Sequence, residues 1–206
     1  MSYHIYQTEG FIIDSLDTGE ANKLVTLYTA DLGLINAAAQ SVRVTQSKLR
    51  QSLQDLSFAS FALVRGKEIW RVTSAKKLIS LYDSRIPVGG RMMMARVLAF
   101  VKRMVTGESP NAELFSILSS LSGFCFAQRN LLASKKGIEV VELIAFLRIL
   151  DVLGYAPGDA VLQKYLAHSK GEKIIYEWPQ ALLDDMKIDS ERARSEMSRA
   201  IRESHL

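Results

Sequence analysis

"LSFASFALVRGKEIWRVTSAKKL", residues 56–78, decides how the first part of this chain folds. Two runs of similar length, rich in aromatic and β-branched residues, flank Arg65-Gly66-Lys67. A glycine between matched runs of this kind is a hairpin signal. Working back towards the N-terminus, "EGFIIDSL" (9–16) and "NKLVTLYT" (22–29) read as two more strands, separated by the turn "DTGEA" with Gly19 as its permissive residue. "LGLINAAAQ" (32–40) follows after a break at Gly33. Five short strands with no long helical crossover specify a small antiparallel barrel or sandwich, and the five-stranded OB barrel is the commonest closed solution at this length. The connection from the third strand to the fourth carries "QSKLRQSL" (46–53), which is expected to form a helical turn.

After "SRIPVGG" (84–90) the texture becomes helical. Residues 91–105 are apolar and methionine-rich. Ser109 and Pro110 suit the N-cap and first position of a second helix, whose Leu114, Ile117, Leu118 and Leu121 repeat at i, i+3, i+4 and i+7. Ile138 to Leu153 is apolar nearly all round, so other helices must wrap it, and Gly154 with Pro157 ends it. Beyond lie an expected helix over 159–167, an extended piece "KIIYEW" (173–178) and a surface helix from about Ser190 with an Ala193, Met197, Ala200, Ile201 stripe. The expected fold is therefore α+β: a five-stranded OB-fold β-barrel over residues 1–83, then an all-α helical domain over 84–206.

Several function classes are disfavoured. No apolar run reaches the roughly 20 residues of a membrane span, and the N-terminus lacks a basic segment followed by an apolar one, so a cytoplasmic protein is expected. Cys125 is the single cysteine, and His4, His168 and His205 are scattered, which leaves no internal disulfide, no zinc set and no metal or cofactor expected. Between Phe124 and Phe126, Cys125 reads as a core thiol. There is no Gly-rich phosphate loop, zincin helix or nucleophile elbow. Asp14, Asp17 and Glu20 cluster at a turn, where acids are solvated and initiate the bend. No enzyme is indicated.

Charge is unevenly placed. The net charge is +4, but residues 1–39 hold one cation against five acids, whereas residues 40–77 hold eight cations against two acids. Such a run is commonly just a solvated face. On a barrel it also fits an oligonucleotide track, with Arg43, Lys48, Arg50, Arg65, Lys67 and Arg71 meeting phosphates and giving salt-sensitive affinity with little sequence preference. Trp70 and Phe61 lie on alternating strands and are expected in the core rather than as base-stacking platforms.

The stretches "EGFIIDSLDTGEANKLVTLYTADLGLINAAA" and "SKLRQSLQDLSFASFALVRGKEIWRVTSAKKL", with "LRILDVLGYAP" (147–157), together resemble the RecO family of recombination mediators. Shared elements include Glu9-Gly10, the Asp17-x-Gly19-Glu20 turn, Leu27-x-Thr29, Gly33, Ser47-x-Leu49, Leu53-Gln54 and Arg65-Gly66. The resemblance implies an OB fold with a helical domain, no catalytic turnover and a nucleoid-associated role in a bacterial cytoplasm. It also implies binding of single- and double-stranded DNA, annealing of complementary strands, and cooperation with RecR and the acidic C-terminal tail of single-strand DNA-binding protein in loading recombinase. For that tail, Arg91, Arg96, Arg103, Lys136 and Arg148 are the candidate cations, beside Met92, Met93 and Met94. Two departures stand out. Gln40-Ser41-Val42-Arg43 replaces the family's Lys-Gly-Ala-Arg, and the two cysteine pairs of many members are absent, so no zinc module is expected. The alternative is an OB-fold adaptor that holds protein or RNA without annealing DNA.

Overall fold

A computed structural model describes residues 4–155, 158–166 and 179–204. Pro157, His168, the "KIIYEW" segment and His205 lie outside the described residues. Contacts divide the chain into two units, one running to Asp83 and including Val105–Ala112, the other formed by Ser84–Met104 and the residues from Glu113 onward.

In the first unit, β1 (Ile5–Thr18), β2 (Asn22–Thr29), β3 (Gly33–Ala39), β4 (Ser57–Arg65) and β5 (Trp70–Ser80) close into a barrel in the order β1-β2-β3-β5-β4. This is the connectivity of an OB barrel. The β4–β5 hairpin forms as its sequence dictates, with Arg65 in register with Trp70, and Ser57 with Ser80 at its other end. β1 also pairs with β4, Ile5 opposite Val64 through Phe11 opposite Phe58. The parallel β3–β5 pairing that completes the circle has only two register pairs, Ala37 with Trp70 and Ala38 with Arg71.

Alternation fills the barrel. Ile12, Val25, Leu27, Ile35, Phe61 and Leu63 point inward and are essentially inaccessible, each worth about 1.5–3 kcal/mol of transfer free energy. Trp70 belongs to the same cluster, as do Val42 and Leu53 from the β3–β4 connection. That connection contains the expected helical turn, α1 (Leu49–Ser52). Phe61 and Trp70 are interior residues, 0% and 4% exposed.

The second unit contains α2 (Val88–Met104), α3 (Ala112–Ala127), the short α4 (Arg129–Leu132), α5 (Lys135–Val152), a 3-10 helix (Ala160–Tyr165) and α6 (Gln180–Glu203). α5 is buried on nearly every side, with Val141, Ile144, Leu147 and Ile149 at zero exposure. Ser134 caps it by accepting from Gly137 N at 3.0 Å, and Gly154, with φ +87°, follows its end as the sequence requires. Cys125 is buried, and burial pushes its thiol up to about 12, so it packs as a small apolar group. Asp159 caps the 3-10 helix by accepting from Val161 N at 2.8 Å.

Three elements differ from expectation. α6 begins about ten residues before Ser190. The helix expected over 159–167 is, among the described residues, a 3-10 helix over Ala160–Tyr165. Ser109 and Pro110 do not open α3, which starts at Ala112. Instead they lie in a strap, residues 105–112, that packs with the barrel unit rather than with the helices. Gly33 makes this possible: a Cβ there would stand 2.6 Å from the Ser109 carbonyl carbon and 2.8 Å from its nitrogen, at a φ of +70° that already favours glycine.

Among the described residues no helix is long and apolar enough to cross a membrane, and no three His, Cys, Asp or Glu side chains gather into a metal site.

Candidate functional site

β5 is the spine of the basic surface. Trp70 and Val72 point inward, so Arg71 between them faces out, flanked by Ala38 of β3 and Val64 of β4. A register shift at Ala62/Leu63 resets the alternation, which leaves Lys76 exposed opposite Ser60. Lys77, opposite Ala59, donates from Nζ to Gln54 Oε1 at 3.3 Å and so reaches the connection that carries α1. Lys48 and Arg50 are exposed on that connection, and α1 packs against β5. At the opposite end of β5 stand Arg65 and Lys67, both exposed. Lys48, Arg50, Arg65, Lys67 and Arg71 thus lie at the two ends and along the flank of one strand. Eleven residues at roughly 3.3 Å each give a span on the order of 35 Å, suited to the ~4–16 nucleotides an OB fold covers.

Arg43 is set apart. Its Nη1 donates to the Gly19 carbonyl at 3.2 Å and its Nε pairs with Asp17 Oδ2 at 3.3 Å, which ties it to the acidic β1–β2 turn. Lys23 lies 3.8 Å from the same aspartate. Asp17 therefore offsets the very cation the sequence offers for phosphate.

Sequence reasoning left other participants unassigned. Lys76 and Lys77 contribute to the positive run but were not placed in the site; the register puts them between its two ends. Tyr6 stands edge-on to Trp70 at 5.0 Å between centroids, and His4 edge-on to Tyr6 at 4.5 Å. β1 begins at Ile5, ahead of the expected Glu9, and the alternating "HIYQT" was the available signal. The Arg65 guanidinium carbon lies 4.8 Å from the Trp70 ring centroid, within cation–π range. Glu108, from the strap, accepts from Trp70 Nε1 at 3.0 Å and from Arg65 Nη1. Nothing local in sequence marks that glutamate. With it, the barrel unit holds nine cations and nine acids, so its positive surface arises from segregation and not from net charge.

In the helical unit a cavity of about 580 Å³ is lined by residues of α2, α5 and α6. Met92 and Ile138 supply apolar surface, while Arg96, Lys135 and Arg194 supply positive charge beside Glu139 and Glu142. Arg96 Nη2 donates to Glu142 Oε2 at 3.0 Å, and Arg194 pairs with Glu139. Gly89 permits the close approach of α2 and α5, since a Cβ there would meet the Leu132 carbonyl oxygen at 2.9 Å and Ile138 Cγ1 at 3.2 Å. Of the five cations expected to hold a partner tail, Arg96 lines this cavity. Arg91, Arg103 and Lys136 lie outside its lining. Arg148 is not a surface residue: α5 is wrapped on that side, Nε donates to the Tyr165 carbonyl at 2.9 Å, and burial lowers its guanidinium to about 10. Met93 and Met94 are core.

The family profile "Recombination protein O N terminal" matches residues 1–81, which is the barrel. Residues 1–81 are thus similar to the N-terminal domain of the RecO family. Among curated relatives, the DNA repair protein RecO of Acetivibrio thermocellus is 28% identical over 152 residues, covering 73% of this chain and 58% of the relative. The DNA repair protein RecO of Rubrobacter xylanophilus is 29% identical, with 74% and 59% covered. That of Heliobacterium modesticaldum is 31% identical, with 74% and 53% covered. The chain therefore spans somewhat more than half the length of these RecO relatives.

Proposed function

We propose that this chain is a non-catalytic, DNA-binding recombination mediator of recombinational repair, which binds single- and double-stranded DNA and anneals complementary strands. The observation that carries this is the cationic strip along β5, from Arg65 and Lys67 through Arg71, Lys76 and Lys77 to Lys48 and Arg50, on a barrel whose curated relatives are named as DNA repair proteins. Phosphates laid along the strip release counterions, and neutralised strands approach one another without any nucleotide hydrolysis. Tyr6 and His4 offer ring faces beside the hairpin end, where a base can stack. Arg43 contributes less, since Asp17 already balances it.

Cooperation with RecR and with the acidic tail of single-strand DNA-binding protein in loading recombinase is proposed from the likeness to the RecO relatives. For the tail, support comes from the helical-unit cavity, where Met92 and Ile138 lie among Arg96, Lys135 and Arg194. An acidic peptide entering there must compete with Glu139 and Glu142 for those cations.

The test is titration of an oligonucleotide, across salt, against the wild type and a Lys67→Glu/Arg71→Glu/Lys76→Glu variant. The wild type is expected to bind with affinity that falls as salt rises, and the variant to lose most of that affinity. Equal affinity and slope overturn the proposal. An adaptor for protein or RNA instead leaves annealing of complementary oligonucleotides, coated with single-strand DNA-binding protein, no faster than without it.

A further inference from the structure

The strap at residues 105–112 is fastened to the barrel at three points. Ser109 seats its backbone against Gly33. Tyr28 Oη donates to the Asn111 carbonyl at 3.4 Å. Between these anchors and the hairpin, Glu108 takes two converging donors, Trp70 Nε1 at 3.0 Å and Arg65 Nη1. Both donors belong to the barrel: Trp70 is locked in its core and Arg65 rests over the indole ring. They form a cradle for an oxyanion, built by the barrel and filled by the strap.

The cradle remains open to solvent. The side chains of Arg65 and Glu108 are 52% and 42% exposed. An ion pair so exposed contributes little to stability, while Gly33–Ser109 and Tyr28–Asn111 hold the strap by contacts that do not involve the glutamate. Exchange of the carboxylate for another anion therefore leaves the strap seated. A phosphodiester presents the same chemistry, two anionic oxygens able to accept from the guanidinium and the indole N–H together.

We propose that Glu108 is an intramolecular stand-in for a nucleic-acid phosphate, occupying the Arg65–Trp70 cradle at the hairpin end of the β5 strip until a strand displaces it. This rests on the DNA-binding role proposed above. While Glu108 is in place, Arg65 has no counterion to release, so the contact adds little to the salt dependence of binding. The strap thereby sets the affinity of that end of the strip.

The experiment compares wild type, Glu108→Gln, Arg65→Ala and the Arg65→Ala/Glu108→Gln double variant in the full chain. Each binds oligothymidylate from 50 to 200 mM salt, with thermal melting to show that each folds. Glutamine keeps the size and one acceptor for Trp70 while removing the charge. Glu108→Gln is expected to tighten binding by about threefold to tenfold at low salt and to steepen the slope of log K against log salt by about 0.7, the value of one single-strand phosphate contact. That gain disappears in the Arg65→Ala background. Glu68→Gln, which removes a hairpin charge without touching the cradle, is expected to change the slope by much less. In a Trp178→Phe background, where Trp70 is the sole tryptophan, the strand is expected to alter indole fluorescence in wild type. An unchanged slope in Glu108→Gln, a gain that survives loss of Arg65, or a Glu68→Gln effect of equal size overturns the inference while the strip proposal stands. Loss of salt-dependent binding by every form removes both.

Discussion

At the scale of single residues, glycines separate two kinds of demand. Gly33 and Gly19 both have positive φ, but a side chain at Gly19 meets nothing within 4 Å, whereas one at Gly33 meets the Ser109 backbone. Gly19→Ala is expected to cost about 1–2 kcal/mol, the left-handed strain alone. Gly33→Ala is expected to cost more and to lift the strap, which urea unfolding and protease susceptibility near residue 107 will show. Phe61→Ala, which empties part of the barrel core, is expected to cost about 3–5 kcal/mol, measured in the same way. The burial of Phe61 and Trp70 was legible because strand alternation assigns a face to every second residue. The partner of Trp70 was not, because Glu108 lies 38 positions away in a segment that reads as a helix start.

At the scale of elements, α6 shows what local pattern conceals. "LLDDMKIDS" breaks its apolar stripe with three acids and with Ile188, 82% exposed, so the sequence pattern places the helix start only near Ser190. Two of the acids have partners outside α6, while Asp184 is held within the helix by Gln180 and Lys187. Lys164 pairs with Asp185 at 2.9 Å and Asp189 at 3.0 Å, and Tyr165 Oη donates to Asp189 Oδ2 at 2.8 Å. Burial alone would raise the Asp189 carboxyl, but hydrogen bonds from Tyr165 and Lys164 outweigh it and hold the group below its ordinary 3.8. A depressed folded-state value makes this contribution complete above about pH 4 and lost as pH falls through the lower folded value. Tyr165→Phe is expected to cost about 1.5–3 kcal/mol at pH 7, shrinking as pH falls below the ordinary carboxylate range, as thermal unfolding across pH will report. By contrast β2, the β4–β5 hairpin and α5 were legible outright, since turn glycines and continuous apolar runs leave little room for another structure.

At the scale of the whole molecule, the barrel unit is electrically balanced while the remaining residues hold seventeen cations against thirteen acids. The net charge of +4 therefore says little about the strip; only folding shows that its cations gather along β5 and at its two ends. With about five phosphates neutralised, the slope of log K against log salt is expected near −3.5 for single strands, about a hundredfold weakening from 50 to 200 mM. A slope near zero in a direct titration would mean that the cations are not engaged. Arg71, near the hairpin end of the strip, also sits at the two-pair junction of β3 and β5. That junction is a zipper with two teeth, so native-state amide exchange is expected to enter there before the long β1–β2 and β4–β5 ladders open. The cylinder then has a preferred line of parting, and a polyanion bridging Arg71 to β3 would act as a clasp across it, slowing exchange at Ala37 and Ala38 more than elsewhere.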